Sequence, residues 1–460
     1  MDSMTDRYRA AHLLLPSGWV SPGFVEVGRD GLIVSAGAEP LPEPVSRLGG
    51  FVVSGVPNLH SHAHQRGLVG WVDGLAPGSR ETLWTWRRRM YDHVLALSPE
   101  NLEAQAAQAY VEMLKTGFTA VGEFHYVHHD PGGRPYANPA EMSERIVSAA
   151  RRAGIGLTLL PAFYAHGGIG RPPEPDQRRF VHGVDAYLEL VDAVVRIARE
   201  EPCVEAGIAP HSLRAVDAAE LRALLDAVPD RPVHIHVSER VEEVEDVRGA
   251  LGAEPVRWLL DAVGLGPRWT LVHATHTDDG ERAGMIGAGV VAGLCPLTEA
   301  NLGDGLFALS EYARSGGVWG VGSDSNHLID LPGELRLAEY GQRLRHQRRD
   351  VLVGPGDTSA ARVLLESALA GGAQALAQPV GAIAPGFRAD LVELDPSHPA
   401  LAGQAAETAL DAWIFSSASP GVVRNVMVGG RWVIRDGRHE DEEQILDAFR
   451  ATMRERHGAA

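Results

Sequence analysis

The chain has 460 residues, a formal net charge of -18, and 45% hydrophobic against 22% charged residues. It exceeds the roughly 250–300 residues at which a single core stops growing, so one large and one smaller domain are predicted. The acidic balance argues against a nucleic-acid partner, no stretch approaches the roughly 18–20 uninterrupted apolar residues of a membrane span, and the start "MDSMTDRYRAAHLLLPSG" lacks an apolar leader core, which predicts a cytoplasmic protein.

Residues 1–50 include "HLLLPSGWVSPGFVEVGRDGLIVSAG", which reads as two or three short strands with glycine turns. Eight short runs rich in Val, Ile and Leu follow: "FVVSGVPNLHSH", "FTAVGEFHYVHHD", "IGLTLLPAFYAHGG", "CVEAGIAPHSLRA", "RPVHIHVSE", "RWTLVHATH", "AGVVAGLCPLTEANLG" and "GGVWGVGSDSN". Segments such as "SPENLEAQAAQAYVEMLKTG" and "DAAELRALLDAV" separate them with helical spacing. Gly117, Gly154, Gly289 and Gly317 stand where helix C-terminal caps belong. Eight β–α alternations of nearly continuous apolar strands fit a closed α/β barrel of the (β/α)8 TIM type over 51–380, with its site at the C-terminal strand ends. An open doubly wound sheet is the alternative. "HGGIGRPPEPDQRR" reads as a loop over the mouth. Residues 381–440, with "GAIAPGFRADLVELD" and "VRNVMVGGRWVIRDGR", return to short strands, so both termini are expected to build one small β-sandwich domain; 441–460 reads as an amphipathic helix with a frayed end. Cys203 and Cys295 fall in apolar runs and read as core thiols, not as a disulfide.

In "PNLHSHAHQRG" the histidines His60, His62 and His64 alternate. Residues two apart share a strand face, so His60 and His62 can both face the barrel interior, with His64 past the strand end. A zinc-type site needs imidazole and carboxylate atoms within about 2.0–2.2 Å of one point. Taken alone, the pair is a weak signal and reads more readily as hydrogen-bonded polar residues. Three further strand ends add His236 with Glu239 in "HIHVSE", His273 in "LVHATH" and Asp324 in "GSDS". These are the groups a catalytic metal site uses for binding and proton transfer.

This ordered set resembles the amidohydrolase superfamily, and "APGFRADLVELD" resembles the small β domain those enzymes carry. The resemblance spans nearly the whole chain. It implies one divalent metal ion, zinc being the commonest choice, held by His60, His62, His236 and Asp324. It also implies that Asp324 acts as base, that His273 holds the attacking water, and that Glu239 carries a proton to the leaving nitrogen. Two-metal members place a bridging lysine at the end of strand four. Here that strand ends "IAPHSLRA", and Lys115, the sole lysine, precedes strand two, so a mononuclear deaminase-type site is expected.

"LWTWRRRMY", "GEFHYVHHD", "APHSLRAV" and "LCPLTEANLGDG" are similar to the formimidoylglutamate deiminases of that superfamily. That similarity implies hydrolysis of N-formimino-L-glutamate to N-formyl-L-glutamate and ammonia in histidine degradation, and a homodimer. It implies a small dicarboxylate substrate touched by Gln65, Arg87, Tyr126, His211 and Arg214. The chemistry agrees, because a planar guanidinium grips a carboxylate with two parallel hydrogen bonds. Arg87 is expected in the long loop after strand one, with Arg88 or Arg89 as substitutes, and Tyr126 reads equally as a core tyrosine. His125, His128, His129 and His166 are expected to point outward or to bond loop backbone. His64 is read as a bystander, and Arg240 is expected to point away from the site. The rival readings are a nucleobase or aminotriazine deaminase, formiminoaspartate as substrate, and an inactive barrel serving as a binding module.

Overall fold

A computed structural model describes residues 5–71, 83–349, 351–417 and 421–457. The eight apolar runs form the barrel strands: β1 (Val56–Ser61), β2 (Phe118–His125), β3 (Gly156–Phe163), β4 (in two pieces, Val204–Ala206 and Ala209–Pro210), β5 (Val233–Val237), β6 (Trp269–His273), β7 (Val291–Leu294) and β8 (Val318–Val321). Every residue of β1, β2 and β3 is buried, as expected for parallel strands covered on both faces. Parallel ladders run β1 to β4 and β5 to β8. Parallel bridges Ile208–Val233 and Ser212–His236 join β4 to β5. The bridge Ser61–Asp324 joins the ends of β1 and β8 and closes the ring, which rules out the open sheet.

The helices between strands lie outside. Helix Pro99–Thr116 begins at Ser98, whose side chain accepts from Asn101 N, and ends at Gly117 with φ 109°. Gly154 and Gly289 cap their helices in the same left-handed conformation. Gly317 does not: the helix Leu309–Arg314 ends through Ser315, and Gly316 carries the positive φ of 84°. Helix Ala360–Leu376 packs directly on β1 and β8 through Gly371 and Gly372. A Cβ on Gly371 would collide with the Trp319 carbonyl, and one on Gly372 would lie 2.8 Å from Pro57.

Both termini contribute to one sheet of nine strands. Strand Ser46–Ser54 is the seam, parallel to Asp6–Leu15 on one side and antiparallel to Leu391–Leu394 on the other. Tyr8, Leu13, Val25, Ile33, Val52, Leu391 and Met427 form a core of their own beneath it. The C-terminal helix Glu442–His457 packs on Pro99–Thr116, where Lys115 Nζ meets Glu442 Oε1 at 2.7 Å. Cys295 is a buried thiol as expected, but Cys203 is exposed, because it lies in the turn before β4 with φ 62°. No helix among the described residues is long and apolar enough to cross a membrane.

Candidate active site

Barrel closure assembles the first group of side chains. The amide of His62 donates to Asp324 O (2.8 Å) and the amide of Asp324 donates to His60 O (3.0 Å), so the end of β1 and the turn after β8 are laced together. Buried polar side chains reinforce the lacing. Asn58 Nδ2 donates to Ser323 Oγ (2.7 Å), and Asn326 Nδ2 donates to Ser61 Oγ (3.0 Å). Asp324 Oδ1 thereby stands 3.4 Å from His60 Nε2 and 3.3 Å from His62 Nε2. His236, at the end of β5, brings its Nε2 to 3.1 Å from His60 Nε2.

The far side of two of these rings is fixed by backbone. His62 Nδ1 lies 2.8 Å from Phe124 O, and His236 Nδ1 lies 3.0 Å from His211 O. A carbonyl can only accept, so each Nδ1 carries the proton and each Nε2 presents a lone pair inward. Burial drives all three imidazoles toward the neutral form: His60 is pushed down to about 3, and His62 and His236 also lie below the ordinary value. Burial would raise the Asp324 carboxyl, but the hydrogen bond with His60 and the charge on His273 hold it well below its usual range. Three inward-facing imidazole nitrogens, with an ionised carboxylate oxygen beside two of them, are a donor set that fits a divalent cation.

His273 ends β6. Its Nε2 is 3.8 Å from Asp324 Oδ2, its Nδ1 is 3.2 Å from Glu299 Oε1, and its ring stacks on His236 at 5.7 Å. Burial opposes charge on this ring, but Glu239, Glu299 and Asp324 together push its pKa up to about 10. Of the nine non-glycine residues with positive φ among the described residues, five (Ser238, His273, Ala274, Asp324 and Asn326) lie at or just past the ends of β5, β6 and β8. Each such conformation costs about 1 kcal/mol or more, so backbone strain is concentrated where the polar side chains are aimed.

One cavity joins this cluster to the rest of the candidates. His62, His236, His273, Asp324 and Glu239 line it together with Gln65, Arg87, Tyr126, His211 and Arg214. Gln65 Nε2 donates to Tyr126 OH at 2.9 Å, so Tyr126 belongs to the cavity wall as well as to the core. Arg87 lies on the helix Leu83–Ala96 rather than in a loop, which holds it rigidly over the Tyr91 ring with Nε 2.6 Å from Tyr91 OH. Arg88 is exposed, Arg89 donates to Trp71 O, and neither lines the cavity.

Arg240 differs from expectation. It lines the same cavity as Glu239, because β5 ends at Val237 and the chain turns at Ser238 (φ 52°) into the helix Val241–Leu251; its Nη2 is 2.8 Å from Asp304 Oδ1. His64 is buried in the turn Ala63–Leu68, edge-on to Tyr126 at 4.7 Å, and does not line the cavity. His125, His128 and His129 are buried rather than outward-facing. His128 and His129 bond the Ala162 and Val181 carbonyls, whereas His166 pairs with Glu220 at 2.9 Å. Sequence reasoning missed Glu299 and misread Arg240. The stretch "PLTEANLG" after β7 was the available signal for Glu299, and nothing in the local pattern separated Arg240 from a solvated charge.

The sequence profile of the Amidohydrolase family matches residues 50–433. The chain belongs to the amidohydrolase family. Among curated proteins this amidohydrolase is 48% identical over 442 residues to a formimidoylglutamate deiminase of Pseudomonas aeruginosa, covering 96% of this chain and 97% of that one. It is 28% identical to a 5-methylthioadenosine/S-adenosylhomocysteine deaminase of Halobacterium salinarum, over 86% of each chain. Among solved structures it superposes with TM-score 0.92 on an amidohydrolase from Brucella melitensis (42% identity, 98% and 99% of the two chains). It superposes with TM-score 0.80 on a zinc-bound adenosine deaminase from Xanthomonas campestris (22% identity, 98% of each), a likeness of fold.

Proposed function

We propose that this amidohydrolase hydrolyses N-formimino-L-glutamate to N-formyl-L-glutamate and ammonia, a step of histidine degradation. The observation that carries the reading is the placement of Arg87 and Arg214 in the cavity that holds the His/Asp cluster, in a chain 48% identical to the Pseudomonas deiminase. A substrate with two carboxylates and a linear amidine matches a cavity lined by two guanidiniums and a hydrolytic cluster. A nucleobase deaminase would read a flat neutral ring with amide or aromatic groups, which Gln65 and Tyr126 could supply, but such a ring would leave both guanidiniums without an anionic partner.

His60, His62, His236 and Asp324 are the residues we assign to a single divalent ion, zinc by preference. When bound, such an ion lowers the pKa of water to about 7 and polarises the group under attack. Asp324 takes the proton of the attacking water, and His273 orients that water through Nε2. Glu239, on the same cavity wall, delivers a proton to the departing nitrogen. With the amidine protonated, the sum is amidinium plus water giving formamide plus ammonium, so no net proton is released. Arg87 and Arg214 each hold a carboxylate, and Gln65, Tyr126 and His211 bound the chain between carboxylate and amidine. This sets which end of the substrate meets the hydrolytic cluster. We extend the reading to a cytoplasmic homodimer.

Ammonia release from a panel of formimino amino acids, with metal content measured on the same sample, tests it. Formiminoglutamate should be the best substrate at about one metal ion per chain. Faster release from formiminoaspartate or from a neutral formamidine would refute the assignment.

A further inference from the structure

β3 and β7 are the barrel strands to which the proposed chemistry assigns no side chain. After β7 the chain turns at Cys295 directly into the short helix Pro296–Leu302, and Glu299 lies on the first turn of that helix. Glu299 is 5% exposed and His273 2% exposed, so their contact is shielded from water. Glu299 Oε1 accepts the backbone N–H of Cys295 at 2.9 Å and stands 3.2 Å from His273 Nδ1. One oxygen thus links the backbone at the end of β7 to the ring at the end of β6.

A carboxylate that reaches back to the amide ahead of its own helix also caps that helix, and capping alone would explain the Cys295 contact. It does not explain why the same oxygen meets an imidazole. The His273 backbone is left-handed, with φ 68°. His62 and His236 have their Nδ1 atoms tied to main-chain carbonyls, whereas the Nδ1 of His273 is tied to a side chain. We propose that Glu299 is a positioning residue, which fixes the His273 ring so that Nε2 faces Asp324 and the reacting group. The role resembles that of the carboxylates that orient metal-site histidines, whose loss costs about 10–100-fold in function. The inference rests on the reading of His273 given above.

The test compares Glu299→Ala with Glu299→Gln in the metal-loaded enzyme. The amide oxygen of glutamine can still accept from both Cys295 N–H and His273 Nδ1–H, whereas alanine accepts neither. Alanine should lower kcat by about 10–100-fold with KM changed by less than about threefold, and glutamine should restore most of the loss. The low-field Nδ1–H signal of His273, assigned in histidine-labelled protein by its disappearance in His273→Asn, should persist in wild type and Glu299→Gln and vanish in Glu299→Ala. That signal needs no substrate, so it stands or falls separately from the substrate assignment. An unchanged signal in Glu299→Ala would overturn the proposal. So would equal kcat losses for the two variants, or a loss in Glu299→Ala accounted for by missing metal.

Discussion

Replacing Arg214 by methionine removes the guanidinium and keeps a flexible apolar stem beside Tyr164 and Tyr91. Arg214 lies at the cavity with its Nε unpartnered by any protein atom, so its donors are not consumed by the fold. Burial would weaken its charge, but Glu243 and Glu239 hold the pKa above its ordinary value, so it meets a substrate as a full cation. Two charge-assisted hydrogen bonds to one carboxylate are worth about 1.5–3 kcal/mol each, about 3–6 kcal/mol together. At about 1.4 kcal/mol per tenfold, Arg214→Met should lower kcat/KM for formiminoglutamate by about 10²–10⁴. The loss also leaves Glu239 and Glu243 without a counter-charge, which disturbs turnover of every substrate. The informative quantity is therefore the ratio of losses for formiminoglutamate and for a neutral formamidine, followed by coupled ammonia detection. The neutral compound should lose at least about tenfold less. Equal losses would show that Arg214 serves only the carboxylates Glu239 and Glu243, and the two-arginine account of specificity would fall.

Glu239→Gln should cut kcat by about 10²–10⁴ while metal content is retained, and near wild-type turnover would remove Glu239 from proton transfer. His236→Ala removes one of three inward-facing Nε2 atoms, so elemental analysis should find less metal per chain; full occupancy would contradict its assignment as a ligand. Glu123 lies behind the site, its Oε1 accepting from Ala63 N at 2.7 Å, and burial pushes its pKa up to about 8. The folded state therefore holds this proton more tightly than the unfolded chain, whose glutamates titrate near about 4.3. The resulting stability is complete below that pH and declines as pH rises toward about 8, at a limiting slope of about 1.4 kcal/mol per pH unit. Glu123→Gln should flatten the fall of Tm between about pH 5 and pH 8, and an unchanged slope would show that Glu123 is not its source.

Much of the barrel was legible because its signal is local. An apolar run ending in a polar group repeats eight times, and helix ends at Gly117, Gly154 and Gly289 are marked by a residue that tolerates positive φ. Gly317 failed for the same local reason: two adjacent glycines offer two possible caps, and the turn geometry chose Gly316. Arg87 was misplaced in a loop because "WRRRMY" has no apolar periodicity of its own, and the helix gains its stability from packing. Cys203 was read as buried from its apolar neighbours, but a single left-handed residue before β4 turns the chain outward there.

By itself the sequence determined which chemistry was available: imidazoles two apart on a strand, a carboxylate three residues after His236, and an aspartate at the last strand end. Side-chain type and period are properties of neighbours in the chain, so they can be read there. Only the tertiary structure decided which groups meet. The parallel bridge from Ser61 to Asp324 spans 263 residues of chain and sets Asp324 against His60 and His62. The turn after β7 brings Glu299 to His273, and the turn at Ser238 aims Arg240 into the cavity beside Glu239. These contacts depend on ring closure and on a few left-handed residues at strand ends, and no local window of sequence encodes either.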